Sequence, residues 1–400
     1  MNNREAKRCY VMGLFTGVMC CVTVFLILQL IGAIPSFWQS SFVKNVSKKA
    51  AVIEKYVDSK YILGNVSKKD MADQAAKGMI SALGDRYSAY ITEEEMKETQ
   101  AGTDGVFCGV GMTLQYNSDT KEKIVADMEK DAPAEKAGIK KNDVIIKVDG
   151  KDVRELSLND TVALVKKNKG EQVTITVERT ENKEKTEKEF TMTCETITTV
   201  SVQYKMLEDQ QGYIAVSGFN HATESQFETA IDELDKQGAK GLILDLRNNG
   251  GGNLDTCVTM LDRILPAGKM FSEKGKDQTR EFSATDKQSY DKPIVILING
   301  SSASASELFA GTLQDLKKAT LVGTQSFGKG IVQSVFTLNK AVGGGVKLTT
   351  ARYYLPSGRC IHEIGLTPDV KVELTGSIGK SDDNQLEAAK QELKKKIQES

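Results

Sequence analysis

Hydrophobic positions fall along the chain in successive regimes. No residue between Arg8 and Lys44 is charged, and Val11 to Ile34 is almost entirely apolar. As a helix, such a run is long enough to cross the ~30 Å hydrocarbon core of a bilayer. From Phe42 to Gln100 the apolar positions recur at helical spacing, first Val52, Ile53, Tyr56 and Val57, then Met71, Ala75, Met79, Ile80 and Leu83. This predicts a small helical layer whose second helix stops at Gly84-Asp85. From Gly105 to about Phe190 the pattern changes to short β-rich runs, Gly109 to Gln115, Asp143 to Asp149 and Gln172 to Glu178, separated by turn signals. Short helices are predicted within Asp131 to Ile139 and from Leu158 to Asn168. Beyond Thr191, Gly241 to Leu246 and Pro293 to Ile298 are continuous apolar runs, as in parallel strands covered on both faces. The stripe Phe227, Ile231 and Leu234 precedes the first run, and Leu261, Ile264 and Leu265 follow it. An α/β domain with its site at the carboxyl ends of the strands is expected.

Charge orients the first regime. Arg4, Lys7 and Arg8 precede the apolar run, so the positive-inside rule leaves the N-terminus in the cytoplasm and sends the rest across the membrane. A cleaved signal peptide is the alternative, although the run exceeds the usual 7–15 apolar residues and lacks a small-x-small cleavage site. The 400 residues, 40% hydrophobic and 27% charged, suffice for two or three packed domains. A net charge of −1 argues against a nucleic-acid groove. Cys9, Cys20 and Cys21 sit in or beside the apolar run, and Cys108, Cys194, Cys257 and Cys360 are scattered singly. Their spacing matches neither a zinc site nor a redox pair, and no metal or cofactor is called for.

Two segments carry candidate chemistry: Asn299-Gly-Ser-Ser-Ala-Ser-Ala-Ser-Glu307 and Gly323-Thr-Gln-Ser-Phe-Gly-Lys-Gly-Ile-Val-Gln333. Ser304 lies where an apolar strand turns into a helix, a position that exposes a hydroxyl and offers the free N–H groups of a first helical turn to a developing oxyanion. A serine-rich helix start is also an ordinary N-cap. Lys329, between Gly328 and Gly330, would serve as a general base only if desolvation lowered its pKa from about 10.4. Gln333 is spaced to orient that amine. A third element, Asp245-Leu-Arg-Asn-Asn-Gly-Gly-Gly252, is a tight turn after a buried strand, able to supply an oxyanion donor. It matches no nucleotide-binding fingerprint.

Ala132-Pro-Ala-Glu-Lys-Ala-Gly-Ile139 followed by Asn142-Asp-Val-Ile-Ile-Lys-Val-Asp-Gly150 resembles a bacterial PDZ domain. Such domains add a peptide C-terminus as a strand. The resemblance places the carboxylate loop around Phe107, Gly109, Val110 and Gly111, with Lys166 on the flanking helix as an added positive charge or a solvated surface residue. With Leu83 to Tyr90, Thr349 to Gly358 and Gly365 to Asp369, the motifs together resemble the carboxy-terminal processing proteases, serine endopeptidases with a serine-lysine dyad.

That resemblance implies an α/β crotonase-like protease core with an inserted β-rich PDZ domain. It implies Ser304 as nucleophile, Lys329 as base, Gln333 as the orienting group, and backbone N–H groups of Ala305 and of Gly251 or Gly252, Gly251 in preference, as oxyanion donors. The substrates implied are proteins or peptides with apolar C-termini. Arg86, where the family often has proline, and the Gly109-Val-Gly111 loop after Cys108 are departures expected to leave the catalytic group untouched. The divisions expected are 1–43 for the cytoplasmic N-terminus and anchor, 44–100 for the helical layer, 101–190 for the PDZ domain, 191–380 for the protease core and 381–400 for a C-terminal helix. The terminal helices allow either a homodimer or a monomer. Rival readings are an inactive membrane-anchored PDZ adaptor, a crotonase-like acyl-transfer enzyme, and a triad using His221 or His362.

Overall fold

The computed structural model describes residues 40–181, 184–285, 289–339 and 342–399, with Thr16, Met19, Thr23 and Val24. The rest of the Val11–Ile34 run, its flanking basic residues and Cys9, Cys20 and Cys21 lie outside the described residues. Among those described, no helix is long and apolar enough to cross a membrane.

The chain divides into two compact units, Met1–Ala72 and Asp73–Ser400. In the first, Ser40 caps helix α1 (Ser41–Lys60) by accepting a hydrogen bond from the Val43 N–H at 3.3 Å. No residue of α1 is buried, and Val52, Ile53 and Tyr56 are all exposed. Helix α2 (Lys68–Ser81) spans the division between the units.

Strand β1 (Ala89–Ile91) and helix α3 (Glu93–Asp104) follow. The strand corrects the all-helical expectation for Phe42 to Gln100. Three residues carry too little pattern to reveal a period of two; what sets them is pairing with a distant strand, Tyr90 opposite Val346, which buries Tyr90 and Ile91. Helix α3 opens on a reciprocal capping box between Thr92 and Glu95.

The β-rich module comprises β2 (Val106–Gly109), β3 (Met112–Tyr116), β4 (Lys123–Met128), α4 (Pro133–Ala137), β5 (Val144–Val148), β6 (Lys151–Asp152), α5 (Leu158–Val165), β7 (Gln172–Glu181), β8 (Glu184–Thr193) and β9 (Glu195–Thr198). One sheet runs in the order β3-β4-β5-β7-β8, with β6 beside β5, while β2 and β9 form a separate ribbon. Val125, Ile145, Val148, Val173, Ile175 and Val177 fill its core. Strand β3 is an edge strand with α5 packed beside it, so one row of its backbone groups is unpaired. Helix α5 ends at Val165, short of the expected Asn168, because Lys166 turns to extended backbone. The sheet also runs beyond the expected boundary at 190, since β8 continues to Thr193.

The remaining chain supplies β10 (Val202–Met206), β11 (Gln211–Val216), α6 (His221–Lys236), β12 (Gly241–Asp245), α7 (Leu254–Asp262), β13 (Gly268–Gly275), β14 (Thr279–Ala284), β15 (Ile294–Ile298), α8 (Ala305–Asp315), β16 (Ala319–Gly323), β17 (Ile331–Thr337), β18 (Gly345–Tyr354), β19 (Val370–Lys371) and α9 (Asn384–Glu399). A sheet ordered β10-β11-β12-β15-β16-β19 is parallel except at β10. Alternate residues of its buried strands serve two faces. Leu242, Leu244, Ile294 and Ile296 pack with Phe227, Ile231, Leu261 and Phe309 of α6, α7 and α8. Ile243, Val295 and Leu297 pack with Leu386, Ala389 and Leu393 of α9. Each such side chain contributes about 1.5–3 kcal/mol on burial, which explains the unbroken apolar runs. A second sheet runs β1-β18-β13-β14 with β17 beside β18, and residues of β13, β14, β17 and β18 share a cleft with the turn after β12.

Candidate active site

Strand β15 ends at Ile298 and the chain folds sharply before α8. Ser302 Oγ donates to Leu246 O at 2.8 Å, and Asn299 Oδ1 accepts the Asn248 N–H at 3.0 Å. These bonds tie the turn after β15 to the turn after β12. Ser304 then takes φ 57° and ψ −117°, a conformation costing a non-glycine residue on the order of 1–3 kcal/mol. It is held by its own N–H donating to Glu307 Oε2 at 2.9 Å, and by its carbonyl accepting the Leu308 N–H at 2.8 Å. The Ala305 N–H, first of α8, donates to no acceptor among the described residues.

The glycine turn is built against this elbow. The Arg247 side chain is wholly buried; its Nε donates to Asp245 Oδ1 at 2.9 Å, and Nη1 and Nη2 donate to Asp383 at 2.9 and 2.8 Å. Asn249 O accepts the Ala303 N–H at 3.0 Å and Ser306 Oγ at 2.9 Å. Gly251, at φ +98°, leaves no room for a side chain: a Cβ would stand 2.6 Å from Ala303 O, 2.8 Å from Ala305 N and 2.9 Å from Ser304 Cβ. The Gly251 N–H donates to Asn249 Oδ1 at 2.9 Å. Around this turn the N–H groups of Gly250, Gly252 and Ala305 have no acceptor among the described residues, while that of Gly251, preferred in the sequence reading, is taken by Asn249.

The lysine side is arranged differently. Gly328 and Gly330 lie against the backbone of residues 361–365, where a Cβ on Gly330 would stand 2.6 Å from His362 N. The Lys329 N–H donates to Glu307 Oε2 at 2.8 Å, and the Gly328 N–H to Glu307 Oε1 at 2.7 Å. Ser326 Oγ donates to Oε1 as well, at 2.5 Å. The fully buried Glu307 carboxylate thus holds the serine and lysine segments by their backbones. Sequence reasoning included Glu307 in the serine motif without giving it a role; only the approach of the second segment reveals one.

Lys329 is half-buried, with Nζ 5.0 Å from the centroid of the Tyr87 ring. Burial holds its pKa below the ordinary lysine value, Lys347 and Arg86 push the same way, and Glu307 opposes them. Arg86 therefore does reach the lysine's surroundings, contrary to expectation: its guanidinium lies 4.7 Å from the Tyr87 centroid and 5.5 Å from that of Phe327. Tertiary pairing of β1 with β18 brings it there. Gln333 sits at a bulge in β17 with Nε2 3.4 Å from Thr349 Oγ1; it shares no hydrogen bond with Lys329.

Ser304, Lys329, Gln333, Gly251 and Gly252 line one cleft of about 670 Å³, with Leu254, Glu273, Arg280, Ile331 and Tyr353 on its walls. The histidines lie elsewhere. His221 begins α6 with Nδ1 3.5 Å from Glu224, and His362 Nδ1 is buried without a hydrogen bond.

In the β-rich module, Phe107 lies on β2 opposite Ile197. Val110 is buried and Gly111 has φ +73°, where a Cβ would stand 2.3 Å from Ala132 Cβ. Their carbonyls accept from Ala134 and Glu129, both at 2.9 Å, whereas their N–H groups donate to nothing among the described residues. Lys166 is turned to α3, where Nζ lies 3.0 Å from Glu98 Oε1.

Comparison with known proteins decides the family. The profile of Peptidase family S41 matches residues 210–372, and that of the PDZ domain matches 124–179. A CtpA-like serine protease of Staphylococcus aureus (strain COL) is 35% identical over 364 residues, covering 90% of this chain and 70% of that protein. The chain belongs to the carboxy-terminal processing protease family. A carboxy-terminal-processing protease of Bartonella bacilliformis is 37% identical over 314 residues, covering 76% of this chain and 70% of its own. In fold, a Bacteroides fragilis structure described as an S41 protease superposes with a TM-score of 0.54 at 14% identity, covering 90% of this chain and 99% of that one. As a member of the family, the protein is a serine peptidase of the carboxy-terminal processing type with a PDZ domain.

Proposed function

We propose that cleavage runs through a Ser304-Lys329 dyad. Ser304 Oγ attacks a peptide carbonyl and its proton passes to the free amine of Lys329. The tetrahedral oxyanion is held by the Ala305 N–H and by a glycine N–H, Gly252 as the turn stands or Gly251 once Asn249 releases it. The C–N bond then breaks as Lys329 returns the proton to the departing amine, and water repeats the sequence to free the acyl group. Gln333 orients the amine after its amide turns from Thr349 to Lys329. The observation carrying this reading is the buried Glu307, which holds a strained, helix-starting serine and a desolvated lysine on one cleft.

Substrate C-termini with apolar residues add to the free edge of β3, their carboxylate received by the Val110 and Gly111 N–H groups. Lys166, committed to Glu98, contributes to this groove only when that pair opens. The Val11–Ile34 run anchors the protein as a single membrane pass with the crotonase-like catalytic region outside the cytoplasm, and the exposed apolar positions of α1 pair two copies.

The full chain in detergent, incubated with fluorescently labelled casein, tests the chemistry. Wild type is expected to cleave, and Ser304→Ala and Lys329→Ala to be silent while remaining folded. Undiminished cleavage by either variant removes the dyad.

A further inference from the structure

Side chains that no step of this reaction uses converge on the base. Lys329 Nζ and the Arg86 guanidinium both lie over the Tyr87 ring, at 5.0 and 4.7 Å, and Arg86 also lies over Phe327 at 5.5 Å. Lys347 stands on β18 opposite Ala89, beside the same segment. An aromatic face stabilises an ammonium, whereas a neighbouring cation destabilises it. Arg86 acts one way on both counts, since it adds positive charge and draws on the ring that would otherwise favour protonated lysine.

The other charged and titratable groups around Lys329 come from several elements. Glu307 of α8 accepts the Lys329 N–H; Asp255, Glu273 and Arg280 stand on the cleft walls; His362 and Glu363 adjoin Gly328 and Gly330. The carboxylates, including Asp85, which accepts the Tyr87 N–H at 2.9 Å, favour the ammonium; burial opposes it first, and the cations on the 86–87 and β18 side add to that opposition.

We propose that Arg86 is a positioning residue of the dyad, whose permanent charge, held close to the Tyr87 and Phe327 rings, keeps Lys329 in the free-amine form. This rests on reading Lys329 as the general base and deepens it: readiness of the base depends on a segment far away in sequence. The lowering of the Lys329 pKa, in which burial leads and Lys347 and Arg86 follow, runs in the same direction. Guanidinium does not titrate in this range, so the influence is constant with pH. Arg86 is exposed, so salt screens it.

Competitive labelling of Lys329 in the full chain with acetic anhydride across pH, read by mass spectrometry, measures its ionisation without a substrate. Arg86→Gln is expected to move the labelling curve to higher pH, with labelling around pH 7 falling about two- to threefold. Arg86→Lys should restore the curve, Lys347→Gln should move it the same way, and 1 M NaCl should shrink the Arg86→Gln effect. In casein cleavage, the ratio of kcat at about pH 9 to that around pH 7 should rise with Arg86→Gln. A labelling curve that coincides with wild type, or falls equally at every pH, overturns the proposal. Cleavage retained by Lys329→Ala would instead overturn the base assignment beneath it, whatever the labelling shows.

Discussion

The two halves of the candidate active-site cleft are held to different standards. On the nucleophile side, the turn after β12 and the elbow before α8 share backbone and side-chain bonds, Ser302 to Leu246, Asn248 to Asn299, and Ala303 and Ser306 to Asn249. Gly251 is pressed against Ala303, Ser304 and Ala305 with no space for a methyl group. On the base side, the Lys329 backbone is fixed by Glu307, but its amine lies over Tyr87 and Gln333 faces Thr349. Oxyanion stabilisation requires donors fixed in advance. Proton transfer requires only that a base arrive within hydrogen-bond reach, which a lysine stem with several rotatable bonds allows. The rigid half is built once; the flexible half can be assembled at each turnover.

Removing either reacting group should have the largest effect. Ser304→Ala and Lys329→Ala are each expected to lower kcat/KM at least about a thousandfold, and a much milder loss for lysine would mean that the base half is replaceable by water. Next, Glu307→Ala should damage both halves at once. It strips the acceptor from the N–H groups of Ser304, Gly328 and Lys329 and from Ser326 Oγ, each unpaired donor costing about 1–3 kcal/mol. Thermal melting should fall together with activity; an unchanged Tm would show that the halves do not depend on this carboxylate.

Gly251→Ala sharpens the contrast, since it burdens the rigid half alone. A fall in kcat of about a hundredfold is expected with little change in KM, because the added Cβ displaces Ser304 and Ala305 rather than any outer wall of the cleft. Gln333→Ala should be milder, about tenfold in kcat. In wild type, kcat/KM should fall as pH drops through the Lys329 pKa, since the ammonium cannot accept the serine proton. That pKa lies below the ordinary lysine value, so the acid limb should start below pH 10. A flat profile from about pH 6 to 10 would remove the lysine from the rate-limiting protonation.

Much of the fold and of the candidate site was legible because the information is local. Continuous apolar runs announced β12 and β15, and the serine, lysine and glycine motifs lie directly beyond strand ends. What escaped notice depends on pairing at a distance. The three residues of β1 carry no period of their own, and their partner strand brings Arg86 and Tyr87 to Lys329. The occupied N–H of Gly251 follows from the rotamer of Asn249, which no motif encodes. Lys166 meets Glu98 because α3 passes beside the PDZ module, a matter of packing between modules that spacing cannot reveal.

The buried Arg247 has a consequence in time. Its guanidinium joins Asp245, two residues before it, to Asp383, which caps the approach to α9. A ribosome makes the turn and the serine elbow well before it makes Asp383 and the α9 side chains that close the far face of the sheet. A nascent chain therefore carries its serine and lysine with the glycine turn still lacking its last anchor. On the dyad reading, hydrolytic competence should arrive only after Asp383 and α9 have been made and Arg247 has closed on them.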